Sequence, residues 1–195
     1  MYLFAVTAIL VALGGFYISV RQQQQVNAID TAKYRANQAE TRAQQETHKE
    51  SDQLIADGQE LAGRGRLTDA IAKYDAAIQL NPDSEIAYSL RGYALYRRSM
   101  IPTARKPADL QDAIQSLEKA QNLNPNYVWS AYNLALAYWA DGKKDLAVDA
   151  VARVLATKPD FRGIIAHDVQ FKAFRSSSRF QTLMKGSHDA AAAPN

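Results

Sequence analysis

A two-helix pattern that returns about every 34 residues constrains this 195-residue chain more than any other feature. The run from Gly65 to Pro82 recurs in outline up to Pro125 and again up to Pro159, each time with an alanine twelve residues before the proline. A unit of this size cannot bury its own apolar face, so it must stack on its neighbours. The repeats therefore predict an all-α solenoid over residues 51 to 161.

The repeated residues resemble the tetratricopeptide repeat, a helix-turn-helix unit of 34 residues. Three copies are predicted, at 51–84, 85–127 and 128–161. The large and small residues that carry the resemblance are Leu54, Gly58, Leu61, Ala70, Tyr74, Ala77 and Pro82 in the first copy, Tyr88, Gly92, Leu95, Ala113, Leu117, Ala120 and Pro125 in the second, and Leu134, Ala135, Tyr138, Ala147 and Pro159 in the third. The third copy departs from the family pattern at Ala131, Val151 and Val154. The resemblance implies a short solenoid of three repeats that binds other polypeptides.

The amino-terminal segment predicts a membrane anchor at residues 1–20. Nineteen residues from Tyr2 to Val20 carry no charge, which is enough to span a bilayer as a helix. Nothing basic precedes this core and no good cleavage site follows it, so an uncleaved anchor is favoured over a removed signal peptide. We therefore expect a single-pass protein of the bacterial inner membrane. The three basic residues that follow the segment leave the side of the soluble domain open.

Residues 21–50 are rich in glutamine and alanine and contain no proline or glycine, which predicts one continuous helix. Its apolar residues fall at heptad spacing, at Ile29, Ala32, Ala36, Ala39 and Ala43. This seam is thin, so the segment is interpreted as a solvated stalk, with a homo-oligomeric coiled coil as the alternative. At the other end, residues 185–195 are predicted to form a disordered tail.

In the resembling family, the first helix of each repeat lines the concave face. Projection of this pattern gives a predicted partner groove of Ile55, Gln59, Ser89, Tyr93, Tyr96, Arg97, Trp129, Tyr132, Leu136 and Trp139. A row of exposed aromatic residues suggests a groove for a peptide or a partner helix. The alternative is that the terminal helices cover some of these rings. Of the positions that clamp a terminal carboxylate in chaperone-binding relatives, only Asn133 fits.

The second repeat holds an insertion, predicted at residues 97–109, with two prolines and a basic loop of Arg97, Arg98, Arg105 and Lys106. The prolines predict a break between helices, and Asp109 is expected to cap the next helix. A loop of this charge suits anionic lipid, an acidic partner or nucleic acid, but a solvated hinge is the simpler interpretation. The net charge of only +3 gives no reason to expect nucleic acid.

Residues 162–184 follow the last repeat and resemble the capping segment of bacterial arrays of this kind. Repeat arrays need such a segment to cover the last exposed face. The residues predicted to pack there are Val169, Phe171, Phe174, Phe180 and Leu183.

The sequence offers no pattern typical of catalysis. It has no cysteine, no glycine-rich phosphate loop, and three histidines without ligand spacing, so neither an enzyme nor a cofactor or metal is expected. The adjacent His167 and Asp168 are interpreted as structural. The predicted function is a membrane-anchored scaffold or adaptor that binds a peptide or helix of a partner protein in the groove. The alternative is a homo-oligomeric organiser in which the span and stalk act and the repeats are spacers.

Overall fold

The computed structural model describes the backbone of residues 2–186 and the side chains of residues 13–25 and 27–186. The helices are α1 (Tyr2–Gly63), α2 (Leu67–Leu80), α3 (Glu85–Ser99), α4 (Asp109–Leu123), α5 (Val128–Ala140), α6 (Lys144–Thr157), α7 (Phe161–His167) and α8 (Ser178–Lys185), with short 3-10 turns at Val169–Phe171 and Ala173–Ser176. The chain divides into two compact units at the junction between Thr47 and His48.

The first unit consists of the amino-terminal part of α1. The long continuous helix predicted for residues 21–50 is confirmed, since α1 runs without a break to Gly63. The described side chains from Leu13 to Glu46 are all exposed, and polar residues four apart bond along the helix, as Gln23 does with Asn27. The anchor predicted at residues 1–20 falls mainly on residues 1–12, whose side chains lie outside the described part of the chain. Within the residues that are described, no helix is both long and apolar enough to cross a membrane.

The second unit is a row of antiparallel helix pairs. The end of α1 packs on α2, where the Ser51 hydroxyl donates to the Ala77 carbonyl oxygen and Gly58 faces the Tyr74 ring. Helix α3 pairs with α4 and α5 with α6, and α2 packs on α3 as α4 does on α5. Gly65 and Gly142 make the turns inside the first and third pairs with φ of 76° and 78°, a conformation that glycine adopts without steric cost. The repeated prolines follow the ends of α2, α4 and α6, where the helix cannot continue.

Close contact between paired helices depends on small residues at the predicted positions. Ala70, Ala113 and Ala147 are fully buried at the equivalent place in the three pairs. Val151 and Val154, which depart from the family pattern, are also fully buried in the largest apolar cluster of the described residues. These two valines therefore replace the family's usual side chains in the core of the third pair, and the core remains buried.

Gly92 lies where α3 crosses α4 most tightly. A Cβ atom at this position would come within 2.6 Å of Leu117 Cγ and 3.0 Å of the Ala113 carbonyl oxygen. Because part of this wall is backbone, we expect Gly92→Ala to destabilise the protein by about 1–3 kcal/mol, the usual range for overpacking. Thermal unfolding followed by circular dichroism measures the effect.

Gly163→Ala is the matched control, because no atom lies within 4 Å of a Cβ built there, in the middle of α7. Alanine favours the helix by about 1 kcal/mol relative to glycine, so this variant should melt at the same or a slightly higher temperature. Equal melting temperatures for the two variants would show that α3 and α4 can move apart without loss.

The insertion in the second pair is shorter than predicted. Helix α3 continues through Ser99, so the loop runs from 100 to 108. The prediction that Asp109 caps α4 is wrong: Ala108 holds the cap position and makes no side-chain cap bond. Asp109 is instead buried, and it pairs through both oxygens with Arg98, at 2.6 Å from Nη2 and 2.9 Å from Nε. The carboxylate can lie in the interior because its charge is paired with the guanidinium of Arg98.

The carboxyl-terminal segment packs against α5 and α6. Phe171, Phe174 and Phe180 are buried, and Leu183 is half-buried beside them. The prediction of packing is wrong for Val169, whose side chain is 76% exposed. Val169 opens the first 3-10 turn, and the turn points it away from the aromatic cluster that its neighbours build.

Candidate functional site

A cavity of about 490 Å³ opens between the first helices of the pairs and the carboxyl-terminal segment. Helices α1, α3 and α5 contribute one wall, and α7 with the turn after it contributes the other. The lining residues are Gln59, Ser89, Leu90, Tyr93, Tyr127, Trp129, Tyr132, Asn133, Ile164, Asp168 and Gln170. Ser89 and Tyr93, like Trp129 and Asn133, are four residues apart and therefore share a helix face.

Aromatic rings in edge-to-face contact form one side of this cavity. Trp129 lies 5.5 Å from Tyr132 and 5.2 Å from Phe161 between ring centroids, both at 69°. Tyr132 in turn lies 5.1 Å from Phe171 of the carboxyl-terminal segment. Contacts of this geometry hold the rings in place. Tyr132 is consequently buried, while Trp129 at the rim keeps 45% of its surface exposed.

Asp168 supplies the charge of the cavity. Its carboxylate accepts a hydrogen bond from the Tyr132 hydroxyl and another, of 2.8 Å, from the backbone N–H of Gln170. Burial, and then the hydrogen bond and charge of Asp168, raise the pKa of Tyr132 well above its usual value, so its hydroxyl remains a donor. Of the residues that line the cavity, Asp168 is the one with a formal charge.

The predicted groove residues fall into two groups. Gln59, Ser89, Tyr93, Trp129 and Tyr132 line the cavity together. The other five, Ile55, Tyr96, Arg97, Leu136 and Trp139, lie outside its lining. The groove therefore stays a prediction, now with a defined set of residues to test.

Packing explains the five that lie outside. Ile55 and Leu136 are buried in apolar clusters, and Tyr96 is half-buried against two such clusters. Trp139 stacks on Phe174 of the carboxyl-terminal segment, with centroids 4.1 Å apart. Arg97 donates to the Ala62 carbonyl oxygen and lies over the Tyr93 ring.

The predicted groove lacked two lining residues of the first helices, Leu90 in α3 and Asn133 in α5. Outside those helices, the sequence pattern missed Tyr127, Ile164, Asp168 and Gln170. These residues come from a turn and from the carboxyl-terminal segment, which the projection of repeat positions does not cover. The available signal was Asp168 itself, a carboxylate directly before a segment expected to fold back over the array.

The basic residues of the insertion do not act as one set. Arg98 is buried with Asp109, and Arg97 is half-buried, which leaves Arg105 and Lys106 exposed in the loop. These two line a second cavity, of about 600 Å³, together with Ser99, Met100, Pro107, Leu110 and Ala140.

The described residues contain no group of three histidine, cysteine or acidic side chains that could hold a metal ion. His167 places Nδ1 2.8 Å from the Gly163 carbonyl oxygen in its own helix, while the Asp168 carboxylate bonds Tyr132 and Gln170. Adjacent in sequence, the two residues thus serve separate structural contacts.

Two family models match the chain, one described as "TPR repeat" at residues 58–98 and one as "Tetratricopeptide repeat" at residues 103–160. No curated protein matches it. Solved structures with the same fold include the first such domain of Spaghetti (RPAP3) bound to the HSP90 peptide SRMEEVD, at 19% identity and a TM-score of 0.52 over 74% of this chain and 95% of that one. The Arabidopsis OM64 domain matches at 17% and 0.55 over 70% and 98%, and MamA at 25% and 0.53 over 78% and 89%.

Proposed function

Since this chain belongs to the tetratricopeptide-repeat proteins, we propose that it is an adaptor whose cavity between α3, α5 and the carboxyl-terminal segment binds a peptide or helix of a partner protein. The observation that carries the proposal is the half-exposed Trp129, fixed at the rim beside polar groups of the cavity. Tryptophan and tyrosine in pockets of this kind supply much of the binding energy at protein interfaces.

The dimensions and polarity of the cavity support the same role. Its volume of about 490 Å³ is within the usual range for sites that enclose a small ligand or a few side chains. Asn133, Gln59 and Gln170 offer amide groups that can bond a peptide backbone. An extended peptide or one turn of helix would place apolar side chains on the rings and its backbone against these amides.

Selection of peptides from a random library on the immobilised full chain tests the proposal. The variant Tyr93→Ala/Trp129→Ala should lose about tenfold or more in affinity for the selected peptides, because truncated aromatic anchors usually cost 2 kcal/mol or more, on the order of a factor of thirty. Leu146→Ala, an exposed apolar residue of α6 outside the cavity, is the control and should bind normally. Equal binding by both variants and the unchanged chain rules out the cavity as the binding site.

We further propose that residues 2–20 hold this adaptor at a bacterial inner membrane. The support is the uncharged run of nineteen residues at the start of a long helix. Deletion of these residues should release the protein from the membrane fraction under alkaline extraction. Release of the undeleted chain under the same conditions would contradict the anchor.

The second candidate function is a homo-oligomeric organiser built on α1. The observation that favours it is the exposure of Ile29 on a helix with a heptad seam. Sedimentation of the full chain with Ala36→Glu, against Gln38→Glu off the seam, distinguishes the candidates. A smaller assembly with the first change alone supports the organiser, and an unchanged mass for both removes it.

A further inference from the structure

The charge inside the cavity specifies the chemistry of its ligand. We propose that the cavity takes a cationic side chain, arginine or lysine, of the bound peptide, with Asp168 as its counter-ion and the exposed ring of Trp129 beside it. This inference rests on the peptide-binding function proposed above and names the class of peptide. The predicted ligand is opposite in net charge to the peptide SRMEEVD, which is bound to the RPAP3 domain.

The lining of the cavity disfavours an anionic ligand. None of its residues is a lysine or an arginine, and the first-helix positions Gln59 and Ser89 carry no charge. A carboxylate placed there would meet the carboxylate of Asp168 without a cation among the lining residues to offset the repulsion. Like charges at short range disfavour binding, so an acidic peptide end is rejected.

A second carboxylate adds to the negative field. Glu85 accepts a hydrogen bond of 3.0 Å from Asn124. Burial, and then the negative charge of Glu85, raise the pKa of Tyr127, which lines the cavity. Burial, then Tyr93 and last the charge of Asp168, raise the pKa of Tyr96. The guanidinium of Arg97 lies outside the cavity lining, where it donates to the Ala62 carbonyl oxygen and lies over the Tyr93 ring.

Geometry allows one ligand cation to meet both an anion and a ring. Tyr132 contacts Trp129 through its ring and Asp168 through its hydroxyl, so these two groups flank the same residue. An ionised carboxylate can accept about four hydrogen bonds. In the part of the chain that the structure describes, the Asp168 carboxylate accepts two, from Tyr132 and Gln170. A guanidinium can therefore bond Asp168 edge-on while its flat face lies on tryptophan, the ring that attracts cations best.

Trp129 is the reporter for the test. In the full chain with Trp139→Phe, which keeps an aromatic ring on Phe174, Trp129 is the single tryptophan. The probes are N-acetyl-arginine amide, its neutral isostere N-acetyl-citrulline amide, and N-acetyl-glutamate amide. We expect a saturable change of Trp129 emission with the arginine probe, about tenfold weaker binding of citrulline, and weaker binding still of glutamate.

Asp168→Asn should remove the preference for arginine over citrulline. Its amide oxygen can still accept from the Gln170 N–H, so the turn is kept. Tyr132→Phe, which frees the carboxylate from one donor, should keep the preference. Equal binding of arginine and citrulline, a preference unaffected by Asp168→Asn, or strongest binding of glutamate each overturns the inference.

The failure of this inference and the failure of the proposed function have different signatures. If library peptides depend on Tyr93 and Trp129 yet lack basic residues and ignore Asp168→Asn, the groove stands and its cation preference is wrong. If no selected peptide depends on Tyr93 and Trp129, the proposed function itself is wrong. Basic peptides that lose about tenfold in affinity with Asp168→Asn support both.

Discussion

Asp109→Ala is expected to destabilise the protein by about 3–5 kcal/mol, the range measured when one partner of a buried ion pair is removed. The loss arises because the Arg98 guanidinium, itself buried, then lacks the carboxylate that it bonds through two nitrogens. Urea unfolding of the two chains at neutral pH measures the difference in free energy of unfolding.

Two further variants show whether burial is the cause. Asp145→Ala removes a carboxylate that is 89% exposed and lies 3.4 Å from Arg179, so it should cost less than about 1 kcal/mol. Arg98→Met/Asp109→Leu removes both charges and should recover most of the loss, since an apolar pair of similar size is often neutral. If Asp109→Ala lowers the free energy of unfolding no more than Asp145→Ala does, the buried pair stabilises the fold no more than a surface ion pair.

The same pair predicts how stability depends on pH. Burial tends to raise the pKa of Asp109, but the hydrogen bonds from Arg98 and from the Lys106 N–H, with the positive charges of both, outweigh it and hold the pKa below its ordinary value. A carboxyl with a depressed folded-state pKa contributes stability above the unfolded value of about 3.9, and this contribution is lost as the pH falls through the folded value. The difference between the unchanged chain and Asp109→Ala should therefore shrink on acidification below about pH 4.

The pair also shows which parts of the fold a sequence pattern can and cannot predict. The repeats were readable because small residues and prolines recur at fixed spacing, and Gly92, Ala113 and Leu117 lie where that spacing places them. The insertion interrupts the spacing, so nothing in the pattern relates Arg98 to Asp109 eleven residues later. An acidic residue two positions after a proline therefore predicts a helix cap, although the partner of Asp109 lies in the interior.

The site was predictable to the same extent. Residues on the first helices, such as Tyr93 and Trp129, follow from their repeat positions. Which aromatic residues remain open depends on where the carboxyl-terminal segment lies, and this is a matter of tertiary packing. That segment covers Trp139 with Phe174 but leaves Trp129 at the rim, and it brings Asp168 to the cavity.

Phe174→Ala is the second substitution with a large expected effect, about 3–5 kcal/mol, as for other buried phenylalanines. Its ring is fully buried, stacked on Trp139 and 4.7 Å and 5.5 Å from the centroids of Phe171 and Phe180. Thermal unfolding measures the loss, and with Trp129→Phe the emission of Trp139 should shift to the red as its cover is removed. Val169→Ala, a truncation at the exposed start of the first 3-10 turn in the same segment, is the control and should change neither.

The consequence of Phe174→Ala should extend to the cavity, because Phe171 packs on Tyr132 and Asp168 precedes it by three residues. If the carboxyl-terminal segment loosens, the Tyr132 ring and the Asp168 carboxylate both lose their fixed positions. Peptide affinity should then be lower than in the unchanged chain, even at temperatures where the variant is still folded. Unchanged stability and unchanged Trp139 emission would show that packing of the carboxyl-terminal segment does not stabilise the helix pairs. A stability loss with full peptide affinity would show that α3 and α5 bind the ligand without the opposite wall.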